Sequence, residues 1–268
     1  MVAQSSYKHM KLEAAADGVA LVTFARPEVK NAFNELMLDE SLAIIDELVA
    51  GYPQRYRAVV LCGEGDNFCC GGDLEMFREM LGQPRYAVNS FISRFHQWAL
   101  AWDALPMPTL AVMHGPVVGG GVPQGLICDL RYAAENTVVH FSFMQIGLVP
   151  DMGSHFIVPS LVGIGRAYEL MLAGEPIDAA EGLRLGLFSK VLATREDALA
   201  AATKRASAIA SVAADIVSHT KQLLRNARHS SLPETVAQEV VCQTDRFLDP
   251  VFAERIAGFF AKRPPERP

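Results

Sequence analysis

Residues 107–125 read MPTLAVMHGPVVGGGVPQG and carry the strongest chemical signal in the chain. An apolar, β-type run over 109–113 breaks at His114-Gly115-Pro116, and three glycines follow at 119–121, then Val122 and Pro123. Consecutive glycines strip side chains from the backbone, so a ligand can approach the main-chain N–H groups closely. A proline just afterwards fits only the first turn of a helix. The stretch therefore predicts strand, turn and bare helix N-terminus. Such a terminus offers unpaired N–H groups and a positive dipole end to an anion or a developing oxyanion.

Other chemistry finds no footing. GxGxxG fails at 119–124 because Gln124 stands where its last glycine would fall, which argues against a dinucleotide site. The chain has no GxxxxGK[ST], no GxSxG and no HExxH. The glycine turns themselves are what remains.

The elements that must hold these turns follow from periodicity. Residues 19–24 (VALVTF) and 57–62 (RAVVLC) predict short buried strands. Asn34 is placed to cap a helix whose apolar stripe is Leu38, Leu42, Ile45 and Val49. A second glycine-bearing turn, Phe68-Cys69-Cys70-Gly71-Gly72-Asp73, leads into a helix over 74–81, with a longer one over 89–105. Strands are expected at 130–134, 138–143 and 187–192, and helices at 166–173 and 178–185. The second of these helices has Asp178 and Glu181 in capping-box spacing and Gly186 as its stop. From Glu196 the pattern is helical, with Ile216, Thr220, Leu223 and Leu224 on one face. Strands alternating with helices, then a helical tail, predict an α/β protein.

The 268 residues are half hydrophobic and one-fifth charged, enough to bury a sizeable core. The net charge of −6, with no dense Lys/Arg run outside the extreme C-terminus, argues against nucleic acid. A few local cations still suffice for a small polyanionic ligand. The five cysteines have neither metal-type spacing nor a histidine cluster beside them and fit reduced intracellular thiols. Cys69-Cys70 is either a reactive vicinal pair or two buried fillers. Without an apolar leader or a run near 20 apolar residues, the expectation is a soluble, cytoplasmic protein that engages no membrane.

FCCGGDL (68–74), PTLAVMHGPVVGGG (108–121) and GLVPDMGS (147–154) together resemble the signature segments of the crotonase, or enoyl-CoA hydratase/isomerase, superfamily. RPEVKNAFN (26–34), CDLRYAA (128–134), GEPIDAAEGLRLGLFSKVL (174–192) and ERIAGFFAKRPP (254–265) extend the likeness over nearly the whole chain. The resemblance implies a crotonase-like spiral of ββα units over 1–195 and a C-terminal helical trimerisation region over 196–268. It implies a homotrimer or hexamer acting on an acyl-CoA thioester, with coenzyme A as part of the substrate and neither metal nor other cofactor. The thioester carbonyl would accept from the N–H groups of Gly72 and Gly120. Arg26, Lys30, Cys70, Gly71, Phe143, Lys262 and Arg263 are the expected substrate-binding residues, the four cations for the CoA phosphates. Asp73 reads as a helix cap, Asp129 as a structural hydrogen-bonder, and His114 and His140 as structural histidines.

Departures from the family pattern bear on the reaction. Hydratases of this family use two glutamates, and their positions here hold Pro123 and Phe143, neither of which can transfer a proton. Asp151 stands where the family's isomerases carry an acid/base carboxylate. One carboxylate suffices for a Δ3-to-Δ2 double-bond shift, and Phe141, Phe143, Met144 and Phe156 are the expected apolar wall raising its pKa. Asp151 could instead merely cap the next helix. His155 is a candidate second proton carrier. Hydration, decarboxylation and ring isomerisation remain as alternatives, as does a non-catalytic acyl-CoA-binding protein.

Overall fold

The computed structural model describes residues 7–261. Lys262 and Arg263, two of the expected substrate-binding residues, lie outside that range.

Six strands form the main sheet: β1 (Met10–Ala14), β2 (Val19–Phe24), β3 (Ala58–Gly63), β4 (Thr109–Met113), β6 (Leu130–Ala134) and β9 (Lys190–Leu192). They stand in the order β1-β2-β3-β4-β6-β9, antiparallel between β1 and β2 and parallel elsewhere. A second sheet, ordered β5-β7-β8, comprises β5 (Pro116–Val118), β7 (Val138–His140) and β8 (Ile177–Asp178). The helices are α1 (Glu35–Gly51), α2 (Leu74–Met80), α3 (Arg85–Asp103), α4 (Gly121–Leu126), α5 (Ser154–Val162), α6 (Ile164–Tyr168), α7 (Ala179–Leu185), α8 (Arg195–Ala210), α9 (Ala214–Asn226), α10 (Leu232–Phe247) and α11 (Pro250–Ala261).

Both faces of the main sheet are covered, which is why its central strands read as unbroken apolar runs. On one face, Val60 and Cys62 of β3 and Leu110 and Val112 of β4 meet Ala198, Ala202, Ala206 and Ala210 of α8. Alanines at every fourth position let the helix lie close on the strands. On the other face, Val59, Leu61, Ala111 and Met113 join the larger core with Phe24, Phe33, Phe68, Trp98 and Trp102. The chain divides into two compact units, 7–214 and 215–261. The first holds both sheets, and the second is helical.

Several elements depart from the periodicity reading. The strand expected over 138–143 stops at His140, whose carbonyl accepts from Gly119 N (2.9 Å), and a 3₁₀ turn, Ser142–Ile146, follows. The strand expected from 187 begins at Lys190, after Ser189 N bonds Arg131 O. The helix expected over 166–173 splits into α6 and a π-helical turn, Glu169–Ala173. On α1 the buried face is Met37, Leu38, Ser41, Ile44, Ile45 and Leu48, while Val49 is exposed. The stripe thus shifts around the helix because Met37 and Ile44, not Val49, meet the core.

Candidate active site

Beyond β3, the chain from Gly63 to Asp73 is stapled to two neighbouring loops. Asn31, buried in the left-handed conformation, donates to Glu64 O (2.9 Å) and Asn67 O (2.7 Å). His114 Nε2 lies 3.0 Å from Gly65 O. Phe33 then brackets the glycine turn. Its N–H donates to Gly71 O (2.7 Å) and its carbonyl accepts from Asp73 N (3.0 Å). The intervening Gly72 N–H has no acceptor among the described residues.

The second turn sits against the first. Gly119 N is spent on His140 O, whereas Gly120 N has no acceptor among the described residues. Glycine is required where the turns interlock. Gly71 has φ +91°, and a Cβ there would lie 2.8 Å from Val118 O. A Cβ on Gly121 would lie 2.2 Å from Cys69 O. Gly120 is different: its backbone is ordinary right-handed helix. A Cβ there would lie 4.0 Å from Gly72 N, 4.0 Å from Gly71 Cα and 3.8 Å from Met152 Sδ. Three separate loops therefore converge beside Gly120, and two of them carry N–H groups with no acceptor among the described residues.

Met152 belongs to the third loop, which also carries Asp151. Met152 (φ 50°) and Gly153 (φ 82°) turn the chain sharply into α5. The N-cap of α5 is Gly153, with no side-chain cap. The backbone carbonyl of Asp151, not its carboxylate, accepts from Ser154 N (2.9 Å) and Ser154 Oγ (2.6 Å). The carboxylate is thus free of the capping role that sequence left open. It faces α3 instead, where His96 Nε2 lies 3.6 Å from Asp151 Oδ2. Although 41 % of the Asp151 side chain is accessible, burial is the largest influence on it and pushes its pKa above the ordinary carboxylate value. His96, by charge and by hydrogen bond, and His155, by charge, pull the other way. His96 has no sequence signal: it lies mid-helix, 55 residues from its partner, and only the fold brings them together.

The remaining candidates are dispersed. Phe141 and Phe143 are buried in the core, while Met144 and Phe156 are partly exposed. Met144 lines a cavity of about 230 Å³ with Val149, Pro150, His155 and Tyr168. Pro123 is buried in α4. Lys30 is exposed, left-handed, and accepts from Cys70 N through its carbonyl (3.1 Å). Burial pushes the Cys70 thiol up against the opposing charge of Lys30, and pushes Cys69 up to about 12. The pair therefore holds protonated thiols, poor nucleophiles. Arg26 turns inward, with Nη1 3.0 Å from Asp73 Oδ2 and 2.5 Å from Ala32 O. Asp129 holds Thr109 through its N–H (2.8 Å) and Oγ1 (3.0 Å).

A family model described as "Enoyl-CoA hydratase/isomerase" matches residues 14–267. The chain belongs to the enoyl-CoA hydratase/isomerase family. Among the members similar to it is the enoyl-CoA hydratase ACTT3 of Alternaria alternata, 32 % identical over 252 residues, covering 93 % of this chain and 83 % of the relative. Another is 4-chlorobenzoyl coenzyme A dehalogenase-2 of an Arthrobacter species, 30 % identical over 275 residues, covering 97 % and 94 %. A crystal structure from Thermobifida fusca YX, solved with acetoacetyl-CoA, superposes with a TM-score of 0.81 at 29 % identity, covering 90 % of this chain and 95 % of that one. The two sheets and C-terminal helices are the crotonase fold of this family. Its members here include both a hydratase and a dehalogenase, so membership fixes acyl-CoA chemistry and leaves the reaction to the site. No helix among the described residues is long and apolar enough to cross a membrane.

Proposed function

We propose that this enzyme shifts a double bond in an acyl-CoA thioester from the Δ3 to the Δ2 position, with Asp151 as the single acid/base. The carrying observation is a carboxylate released from helix capping, on the loop whose Met152 abuts the space between two unpaired glycine amides. The Asp151 carboxylate takes the C2 proton. The C–H electron pair delocalises into a dienolate, and its charge settles on the thioester oxygen beneath Gly72 N–H and Gly120 N–H. The acid then returns the proton to C4, leaving the double bond between C2 and C3. A positioned base contributes about 10²–10⁴ in rate, and each oxyanion donor about 10²–10³. Burial raises the Asp151 pKa toward a value at which one group can both take and give a proton.

Lys30, Lys262 and Arg263 are proposed to bind the CoA phosphates, with Cys70, Gly71 and Phe143 lining the acyl path. The assembly is proposed to be a homotrimer or hexamer. The test is a panel of 3-enoyl-CoA, crotonyl-CoA and 4-chlorobenzoyl-CoA, comparing wild type with Asp151→Asn. The expected result is 2-enoyl-CoA from 3-enoyl-CoA, slowed about 10²–10⁴-fold by the substitution. Rapid hydration of crotonyl-CoA with no double-bond shift would overturn the assignment.

One observation favours a second reading. His96 stands 3.6 Å from the carboxylate, and a relative of this length is a dehalogenase. A carboxylate can attack an electron-poor ring carbon and expel halide, leaving an aryl ester that imidazole-activated water would hydrolyse. Sustained chloride release from 4-chlorobenzoyl-CoA, cut in His96→Gln to a single turnover that leaves the aryl ester on Asp151, would select it.

A further inference from the structure

We propose that the ion pair between Arg26 and Asp73 is a positioning device that aims the Gly72 N–H. This rests on reading Gly72 as an oxyanion donor. The two side chains are only 11 % and 17 % exposed. Asp73 follows Gly72 directly, so its carboxylate holds the chain one peptide beyond the Gly71–Gly72 peptide that carries the donor, whose own carbonyl accepts from Phe33 N. One oxygen accepts from Arg26 Nη1 (3.0 Å), and the other caps α2 at Glu75 N (3.1 Å). The guanidinium is anchored in turn by Ala32 O.

The backbone of Arg26 is locked as well. Its N–H donates to Asn31 Oδ1 (2.9 Å), and its carbonyl accepts from Asn31 N (2.8 Å). Segment 26–33 therefore grips the glycine turn at four points: Cys70 N through the Lys30 carbonyl, Gly71 O and Asp73 N through Phe33, and the Asp73 carboxylate through Arg26. Gly72 N–H is left unpaired but has little freedom to swing.

A buried ion pair contributes little net stability, because desolvation consumes most of the attraction. This pair also leaves Arg26 Nε buried without a hydrogen-bond partner among the described residues, a further cost. What it supplies is direction. Arginine is suited to that task because its planar, rigid fork fixes the carboxylate in place, which the flexible lysine ammonium does not. Arg26 and Asp73 are thus positioning residues that act through the Gly72 amide.

The test uses acetoacetyl-CoA bound to the whole enzyme. Its enolate has a distinct near-ultraviolet absorbance, so the apparent ionisation pKa of the bound ligand can be titrated without turnover. Aligned N–H donors stabilise the enolate and lower that pKa relative to free ligand. Arg26→Met and Asp73→Asn, the latter keeping an Asx cap on α2, are expected to raise it toward the free value, with Arg26→Lys intermediate. Turnover of the active thioester should fall about tenfold or more through kcat, with KM little changed. That is short of the 10²–10³ expected for losing a donor outright. Folding is checked by thermal unfolding, and Asp73→Asn serves alone if Arg26→Met does not fold. Folded variants that ionise acetoacetyl-CoA as wild type does would overturn the positioning role. A wild-type enzyme that leaves the ligand's pKa unshifted would instead overturn the oxyanion reading of Gly72.

Discussion

At the residue scale, the glycines of the two turns separate into those the fold needs and one, Gly120, that it does not. Gly71→Ala places a Cβ 2.8 Å from Val118 O at φ +91°, so both sterics and backbone oppose it. Gly120→Ala meets only ordinary contacts of 3.8–4.0 Å in a helical backbone. The expected outcome is a Gly120→Ala protein that melts near wild type yet loses activity, because its methyl occupies the space between the amides. Gly71→Ala should lower the melting temperature. Calorimetry with a turnover assay checks both. Asp151 carries a further expectation. Its folded pKa is raised, so the native state holds that proton more tightly than the unfolded chain. Its contribution to stability therefore falls as pH rises from the ordinary value of 3.8 through the folded pKa. Asp151→Asn should melt no lower than wild type at neutral pH, with any advantage shrinking as pH falls toward 3.8. The two glycine turns were legible because glycine clusters are written locally. His96 was not, since nothing in a helix's own pattern names a partner 55 positions away.

At the element scale, the sequence was most informative where a strand or helix is held by its own chemistry. Asn34 was expected to cap a helix, and its side chain accepts from Met37 N (2.9 Å) at the head of α1. Asn34→Ala should cost about 1 kcal/mol, measurable by denaturant titration. Asp178 likewise accepts from Glu181 N (2.8 Å), although the Glu181 side chain turns to Arg184 instead of completing a capping box. Elements fixed by distant partners were harder to read. β7 looked longer because Phe141 and Phe143 continue its apolar character, but Phe141 enters the core as the cap of the 3₁₀ turn and Phe143 from within it. β5 and β8 are too short for any periodicity and exist only because β7 lies between them.

At the scale of the molecule, the α/β class was legible from short apolar strands alternating with helices. Association was expected only through resemblance. The helical unit gives it a physical basis, since Val240, Val241, Phe247 and Leu248 of α10 and its C-terminus are all at least 60 % exposed, as is Phe259 of α11. Large apolar side chains clustered at a surface mark interaction sites. Sedimentation velocity should therefore find self-association, with the proposed trimer or hexamer as its expected size, and Val241→Asp with Phe247→Asp should shift it toward monomer. Within the other unit, the interlocked glycine loops have a wider consequence. They pack too closely to admit a Cβ at Gly71 or Gly121, and Val118 N donates to Cys69 O (3.1 Å) across them, so the cradle is already formed before any thioester arrives. Evolution can then exchange the proton carriers around a fixed electrophile seat without rebuilding it, and a single scaffold can diversify its reactions through a handful of side chains.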